Sequence, residues 1–382
     1  MYDVLQFLSP SELSAARSTC TSIRSDVDLT ARVVLERLVR SYPYLTSLIE
    51  KLDRRSPIRL LHELTRERLF IVGGGSVEQG LDSYKSVDEF AGSGKGWVQR
   101  SPMMQCRGTF KTEACSFQGK LVTVCGDGNG SAGTLEAYCP LADKWTPLPD
   151  IPQPLSFVAS ASSTTALYVT GGMNKRDGSA SAAVFYTTGA SSEWLQGPPL
   201  PSPRFGHASC VFRGELWVVG GHVDDCATAS VSVLDVTQQH CSGSWSPGPA
   251  GSMQRRRVWA RLLVAGDCLW AVGGDVDDRG AQLLPTAECL SRDSRDCVWR
   301  WGEPVELTQH RRVFSAVALK GRVLVLGGRG ETYETLNDCE ALRGGEKSGA
   351  SRWETQRDLA LSHRDSFIGG GASVVQACPL RW

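Results

Sequence analysis

The sequence predicts an all-β fold, a closed ring of six small antiparallel sheets with a short helical segment ahead of it. Three observations predict this. An apolar run ending in a glycine pair returns at intervals of about 50 residues, the spacing of a sheet-forming repeat. Each copy is flanked by further short β-rich runs and a Trp. Glycine and tryptophan are also abundant, at 40 and 11 of 382 residues, as many turns and aromatic wedges require.

The strongest element of each copy is the run into the glycines. It reads Leu69-Phe70-Ile71-Val72-Gly73-Gly74, then Ala166-Leu167-Tyr168-Val169-Thr170-Gly171-Gly172, Glu215-Leu216-Trp217-Val218-Val219-Gly220-Gly221, Cys268-Leu269-Trp270-Ala271-Val272-Gly273-Gly274 and Arg322-Val323-Leu324-Val325-Leu326-Gly327-Gly328. Lys120-Leu121-Val122-Thr123-Val124-Cys125-Gly126 fills the gap after the first, with a cysteine in place of one glycine. Upstream of most copies lies a second β-rich run, such as His207–Phe212, Ala260–Val264 and Phe314–Leu319. The turns between them, Arg213-Gly214, Gly266-Asp267 and Lys320-Gly321, have hairpin chemistry, because glycine adopts the positive φ that tight turns need. Downstream comes a third run, such as Leu135–Tyr138, Val184–Tyr186 or Val231–Leu234. A Trp follows ahead of a Pro-rich stretch, as at Trp145, Trp194 and Trp245, with Trp97, Trp299 or Trp301, and Trp353 in the same place elsewhere.

Four short strands per repeat make a sheet that cannot bury both faces alone. Sheets packed face to face around an axis can, and the ring leaves only short, protected edges. The glycines permit close backbone approach near the axis, and the Trp is expected to wedge between neighbouring sheets. This pattern, from about Arg68 to Trp382, resembles the kelch family, and the resemblance implies a six-bladed kelch β-propeller. The expected domains are 1–66, helical, and 67–382, the propeller. Looser packing is expected in the second blade and where the aromatic before the loop is replaced, at Leu234 and at Cys289-Leu290. The first copy lacks an upstream run of its own, while His363–Val375 is a spare run at the other end. That segment is expected to supply the innermost strand of the first blade, as kelch propellers often close through a carboxy-terminal strand.

The first 66 residues contain no glycine, and apolar residues recur at helical intervals in Val34, Leu35, Leu38, Leu45, Leu48, Ile49 and Leu52. Ser9-Pro10-Ser11-Glu12 carries helix-start chemistry. The stretch from Val4 to Leu13, followed by Ala16 to Arg24, is similar to the later half of an F-box. That resemblance implies docking on a ubiquitin-ligase adaptor through Leu5, Phe7, Leu8 and Leu13. The alternative is a plain helical cap.

Composition excludes several classes. Lys+Arg and Asp+Glu are 41 each, so there is no broad charge to attract nucleic acid or an anionic membrane. No apolar run has the roughly 18 residues of a membrane helix, and no secretory leader is evident at the start. The 13 cysteines are scattered with no C-x-x-C pair, which points to free thiols in the cytoplasm or the nucleus. His222, Asp224, Asp225 and Cys226, with His240-Cys241 beyond, lack zinc spacing, and the Asp224-Asp225 and Asp277-Asp278 loops lack a calcium ligand series. There is no G-x-S-x-G elbow, and no phosphate loop follows the glycine triplets. No metal and no other cofactor is expected, and no enzymatic activity.

What remains is the mouth of the ring, where the loops after the glycine pairs and the loops entering the next innermost strands converge. Arg204, Phe205, His222, Arg257, Trp259, Asp275, Arg311, Arg312, Arg329 and Arg364 are the candidates for binding a partner. Arginine interleaved with aromatics is a usual hot-spot composition, and the arginines would suit an acidic peptide. Each arginine has a competing structural role, tying neighbouring blades together. The resemblance implies a non-enzymatic recognition module, the substrate-binding subunit of a cullin–RING ubiquitin ligase. A cytoskeletal or complex-assembly scaffold and a kelch-type oxidase or epimerase are the alternatives.

Overall fold

Tight turns set the register of the repeats. Arg213 and Gly214 both have positive φ, at 53° and 80°, as do Lys320 and Gly321 at 49° and 71°. This is the two-residue turn whose twist matches that of the flanking strands. It places Phe212 opposite Glu215 and Leu319 opposite Arg322.

In the computed structural model, residues 67–361 are described apart from 74–84, 93–94, 108–111, 127–129, 190–192, 238–242, 277–283, 294, 333 and 344–351. Residues 371–375 are described as backbone, and Ala31, Arg32 and Leu35 are described and helical. The remaining helical expectations for 1–66 lie outside the described residues.

Six sheets follow one another along the chain. The first runs in the order Gly371–Val375, Arg68–Val72, Val87–Phe90, Trp97–Gln99. The second is Glu113–Phe117, Lys120–Val124, Leu135–Cys139, Lys144–Leu148. The third is Ala159–Ser162, Ala166–Thr170, Val184–Thr188, Leu195–Gln196, and the fourth Ala208–Phe212, Glu215–Val219, Val231–Asp235, Ser246–Pro247. The fifth is Arg261–Ala265, Cys268–Val272, Thr286–Arg292, Trp299–Trp301, with Val305–Glu306 also paired to its third strand. The sixth is Ser315–Leu319, Arg322–Leu326, Cys339–Arg343, Arg352–Thr355. The result is an all-β, six-bladed propeller.

The core lies between blades, because each sheet buries its apolar faces against its neighbours. Phe212, Trp217 and Val233 of the fourth blade pack with Leu262, Leu269 and Leu290 of the fifth in one buried cluster. The Trp does more than wedge. The indole N–H of Trp145 donates to Ser101 O at 2.8 Å, that of Trp194 to Pro149 O at 2.8 Å and that of Trp245 to Pro198 O at 3.0 Å. Each acceptor ends the preceding blade. Trp97 makes the same bond to Leu359 O at 3.2 Å, so the first blade adjoins the sixth.

The positions where looser packing is expected are filled. Leu234 and Leu290 are fully buried, and Tyr138 packs edge-on against Phe70 of the first blade with ring centroids 5.6 Å apart. Cys125 takes the left-handed conformation of the glycine it replaces, with φ of 50°.

Candidate functional site

A repeated arginine fixes the loops that form the mouth. Arg107, Arg204, Arg257 and Arg311 precede the innermost strands of four blades, and all are buried. Each reaches the carbonyl of the first residue of the glycine pair in its own blade. Arg107 Nη1 donates to Cys125 O at 3.0 Å, Arg204 Nη1 to Gly220 O at 3.1 Å, Arg257 Nη1 to Gly273 O at 2.7 Å and Arg311 Nη1 to Gly327 O at 2.8 Å.

A buried guanidinium needs a counter-charge. In three blades it comes from a glutamate on the third strand, two pairing positions before the glycines. Arg107 meets Glu136 at 3.0 Å, Arg257 meets Glu288 at 2.8 Å, and Arg311 is paired with Glu340. The same carboxylates accept the main-chain N–H groups of the approaching loop. Met104 and Gln105 donate to Glu136, Gln254 and Arg255 to Glu288, and Thr308 to Glu340. Burial pulls the Arg257 guanidinium below its usual pKa, while Glu288 acts to raise it.

Arg204, Arg257 and Arg311 were expected to present their charge to a partner. Their guanidinium groups are instead buried inside the blades, bonded to glycine carbonyls and, for Arg257 and Arg311, to third-strand glutamates, so they hold the loops that form the mouth. Asp275 is also buried, at 8% exposure, with its backbone bridged to Val258. Arg364 lies outside the described residues, as do Leu5, Phe7, Leu8 and Leu13.

The residue after each arginine position pairs with the residue after the glycine pair. The bridges are Phe205–His222, Val258–Asp275 and Arg312–Arg329, with Ser156–Met173 in the third blade. One residue further on, the backbone is left-handed in all four blades, at Phe157 (φ 54°), Gly206 (63°), Trp259 (61°) and Val313 (52°). Non-glycine residues rarely adopt this conformation, and it concentrates at functional positions. Hydrogen bonds link neighbouring loops here, from Gly206 N to Phe157 O at 3.1 Å and from Trp259 N to Gly206 O at 2.7 Å.

The side chains form one aromatic rim. Phe157 meets Trp259 edge-on at 5.2 Å, Phe205 lies 6.2 Å from Trp259, and Phe205 stacks on His222 at 4.9 Å. Phe157, Phe205 and Trp259 are half-buried. The exposed Lys175 ammonium stands 5.5 Å from the Phe157 ring centroid, in cation–π range. Arg255 and Arg256 are exposed beside the rim, and Arg312 and Arg329 are half-buried.

Beneath the rim is a small cavity of about 80 Å³, lined by the tops of the innermost strands at Glu113, Ser160, Ala208, Ser209, Arg261 and Ala316. Arg261 Nη1 donates to Glu113 Oε1 at 2.9 Å. These residues stand on the fifth and second blades, three apart in a ring of six, so the ion pair spans the axis and floors the mouth. Phe157, Lys175 and Glu113 are not among the sequence candidates. Phe157 follows Leu155 where other blades have arginine, and Glu113 lies 148 positions from its partner.

Several thiols lie within the packed sheets, while Cys106, Cys226 and Cys297 are exposed. Burial pushes Cys115, Cys125 and Cys339 up to about 12, far from reactive thiolates. His222 is buried against Phe205, and neither ring nitrogen has a hydrogen-bond partner. Asp224, Asp225 and Cys226 are exposed. Among the described residues, no three His, Cys, Asp or Glu side chains converge as metal ligands, and no helix is long and apolar enough to cross a membrane.

The Kelch motif matches residues 203–251, which span the fourth blade and the loops at either end of it. Kelch-like protein 25 of Xenopus tropicalis is 28% identical over 190 residues, 48% of this chain and 30% of that protein. Kelch-like protein 36 of Rattus norvegicus is 22% identical over 302 residues, 77% of this chain and 47% of that protein. Beta-scruin of Limulus polyphemus is 28% identical over 207 residues, 52% of this chain and 22% of that protein. The chain thus spans less than half the length of these curated relatives. Among solved structures, that of YjhT superposes with a TM-score of 0.59 at 14% identity, covering 75% of this chain and 97% of that one. The glycine-pair repeat, the inter-blade tryptophans, the six antiparallel sheets and these likenesses together support a kelch-repeat β-propeller.

Proposed function

We propose that this propeller is a non-enzymatic recognition module that holds a segment of another protein at its mouth. The observation that carries the proposal is the half-buried rim of Phe157, Phe205 and Trp259, two of them on left-handed backbone, above a floor sealed by Arg261 and Glu113. Partly exposed aromatics in a concave setting are the usual anchors of protein interfaces. Lys175, Arg255, Arg256, Arg312 and Arg329 around them suit an acidic segment. Recognition here needs no cofactor.

In the finer version, the chain is the substrate-binding subunit of a cullin–RING ubiquitin ligase in the cytoplasm. The amino-terminal segment would dock the adaptor through Leu5, Phe7, Leu8 and Leu13, and the ring would present the bound protein. Similarity to the Kelch-like proteins supports the interaction role, and the F-box-like stretch supports the adaptor. Size-exclusion chromatography of the purified chain with purified adaptor tests this. Co-elution that Leu8→Asp abolishes is expected. Failure of the unaltered chain to co-elute would remove the ligase role and leave the recognition role standing.

A further inference from the structure

The fourth blade departs from the second, fifth and sixth at one charge. Arg204 occupies the same buried place as Arg107, Arg257 and Arg311, at 2% exposure, and binds the same glycine carbonyl. The third-strand position that is Glu136, Glu288 or Glu340 elsewhere is Ser232, which pairs with Val218 two places before the glycines. Among the described residues no carboxylate lies against Arg204. Its remaining bonds go to neutral oxygens, Ser230 Oγ at 3.1 Å, Ser202 Oγ at 2.9 Å and Ser202 O at 3.5 Å. Burial pushes its guanidinium down to about 10.

The other blades show where the missing anion belongs. In the second and fifth, the glutamate accepts the N–H of the residue two places before the arginine, from Gln105 and from Arg255, each at 3.1 Å. In the fourth blade that residue is Ser202. Its hydroxyl already touches Arg204, and it lies in Pro201-Ser202-Pro203, where both prolines are exposed and Ser202 is half-buried. Proline after serine is the feature read by proline-directed kinases, and the two prolines restrict this loop against helix.

We propose that Ser202 is a phosphorylation site for a proline-directed kinase, and that Arg204 receives the phosphate in place of the glutamate this blade lacks. In the transfer, Ser202 Oγ forms the new bond to the γ-phosphorus of ATP. The bond from that phosphorus to the β–γ bridging oxygen breaks, ADP departs, and the hydroxyl proton passes to the kinase's base. The product places close to two negative charges and three acceptor oxygens beside a buried cation. It also charges the loop that carries Phe205, so modification would act directly on the aromatic rim.

The test uses the full-length chain with a purified proline-directed kinase, ATP and Mg²⁺, with peptide mapping by mass spectrometry. Phosphate on Ser202 is expected, and Ser202→Ala removes that peptide's signal. Phosphorus-31 titration then reports the contact. The Ser202 resonance, assigned by its loss in Ser202→Ala, should titrate about one unit lower in the folded chain than in urea, as expected beside an opposite charge. Arg204→Gln should abolish most of the difference. No phosphate on Ser202, under conditions that modify a synthetic peptide spanning 197–207, would overturn the site. A folded midpoint equal to or above the unfolded one would overturn the role of Arg204, and this comparison needs no variant to fold.

Discussion

The third and fifth blades solve one problem with opposite chemistry. At the loop entering the fifth, Arg257 and Glu288 form a fully buried ion pair that also gathers two loop N–H groups and two main-chain carbonyls. At the same two places the third blade has Leu155 and Phe185, at 0% and 3% exposure, packed in a continuous apolar cluster. The loops still emerge alike. Met173 pairs with Ser156 as Asp275 pairs with Val258, and Phe157 and Trp259 share a left-handed backbone. The ring therefore requires that this space be filled and its polar groups matched. It does not require that it be filled by charge.

The largest expected effect comes from breaking the pair on one side. Glu288→Ala leaves Arg257 buried without its counter-charge and should cost about 3–5 kcal/mol in urea unfolding of the full chain. Converting the fifth blade to the third, with Arg257→Leu and Glu288→Phe together, should recover more than half of that loss, since apolar replacements of buried ion pairs are often near neutral. If the double variant is as unstable as Glu288→Ala, the two solutions are not interchangeable. The second effect concerns the floor. Glu113 and Arg261 are each 13% exposed and joined across the axis, and a cycle of Glu113→Gln, Arg261→Gln and the double change should give a coupling of about 1–2 kcal/mol. Coupling near zero would mean the pair fills space only. The last effect, at the rim, is read chiefly in recognition. Trp259→Ala removes two aromatic contacts worth about 0.5–1.5 kcal/mol each, and it should abolish capture of a binding partner while the chain stays folded. Unchanged capture would take the rim out of recognition.

The sheets were legible because each repeat announces itself locally. Gly220-Gly221 ends a strand, Arg213-Gly214 turns a hairpin, and Trp245 follows the outer run. The role of the arginines was harder to read. Arg204, Arg257 and Arg311 look like a basic lip when only the loop is considered. The signal that separates them from Arg312 and Arg329 is a match within the repeat, where Arg107, Arg257 and Arg311 each have a glutamate on the third strand and Leu155 has Phe185. That match was available in the sequence and becomes meaningful once strand register is known. The Glu113–Arg261 pair had no such signal. Only closure of the ring brings the second blade opposite the fifth, and no local pattern encodes a contact across an axis.

The left-handed residue at the lip of four entry loops has a consequence for how such a surface could change. Four blades of one chain hold this backbone shape with Phe, Gly, Trp and Val in turn, so the shape is imposed by the bridge beside it and is largely indifferent to the letter that occupies it. Construction and vocabulary are thereby separated. Successive substitutions at these fingertips could rewrite what the ring grasps, while the hidden arginines and their counterparts keep the frame as it was.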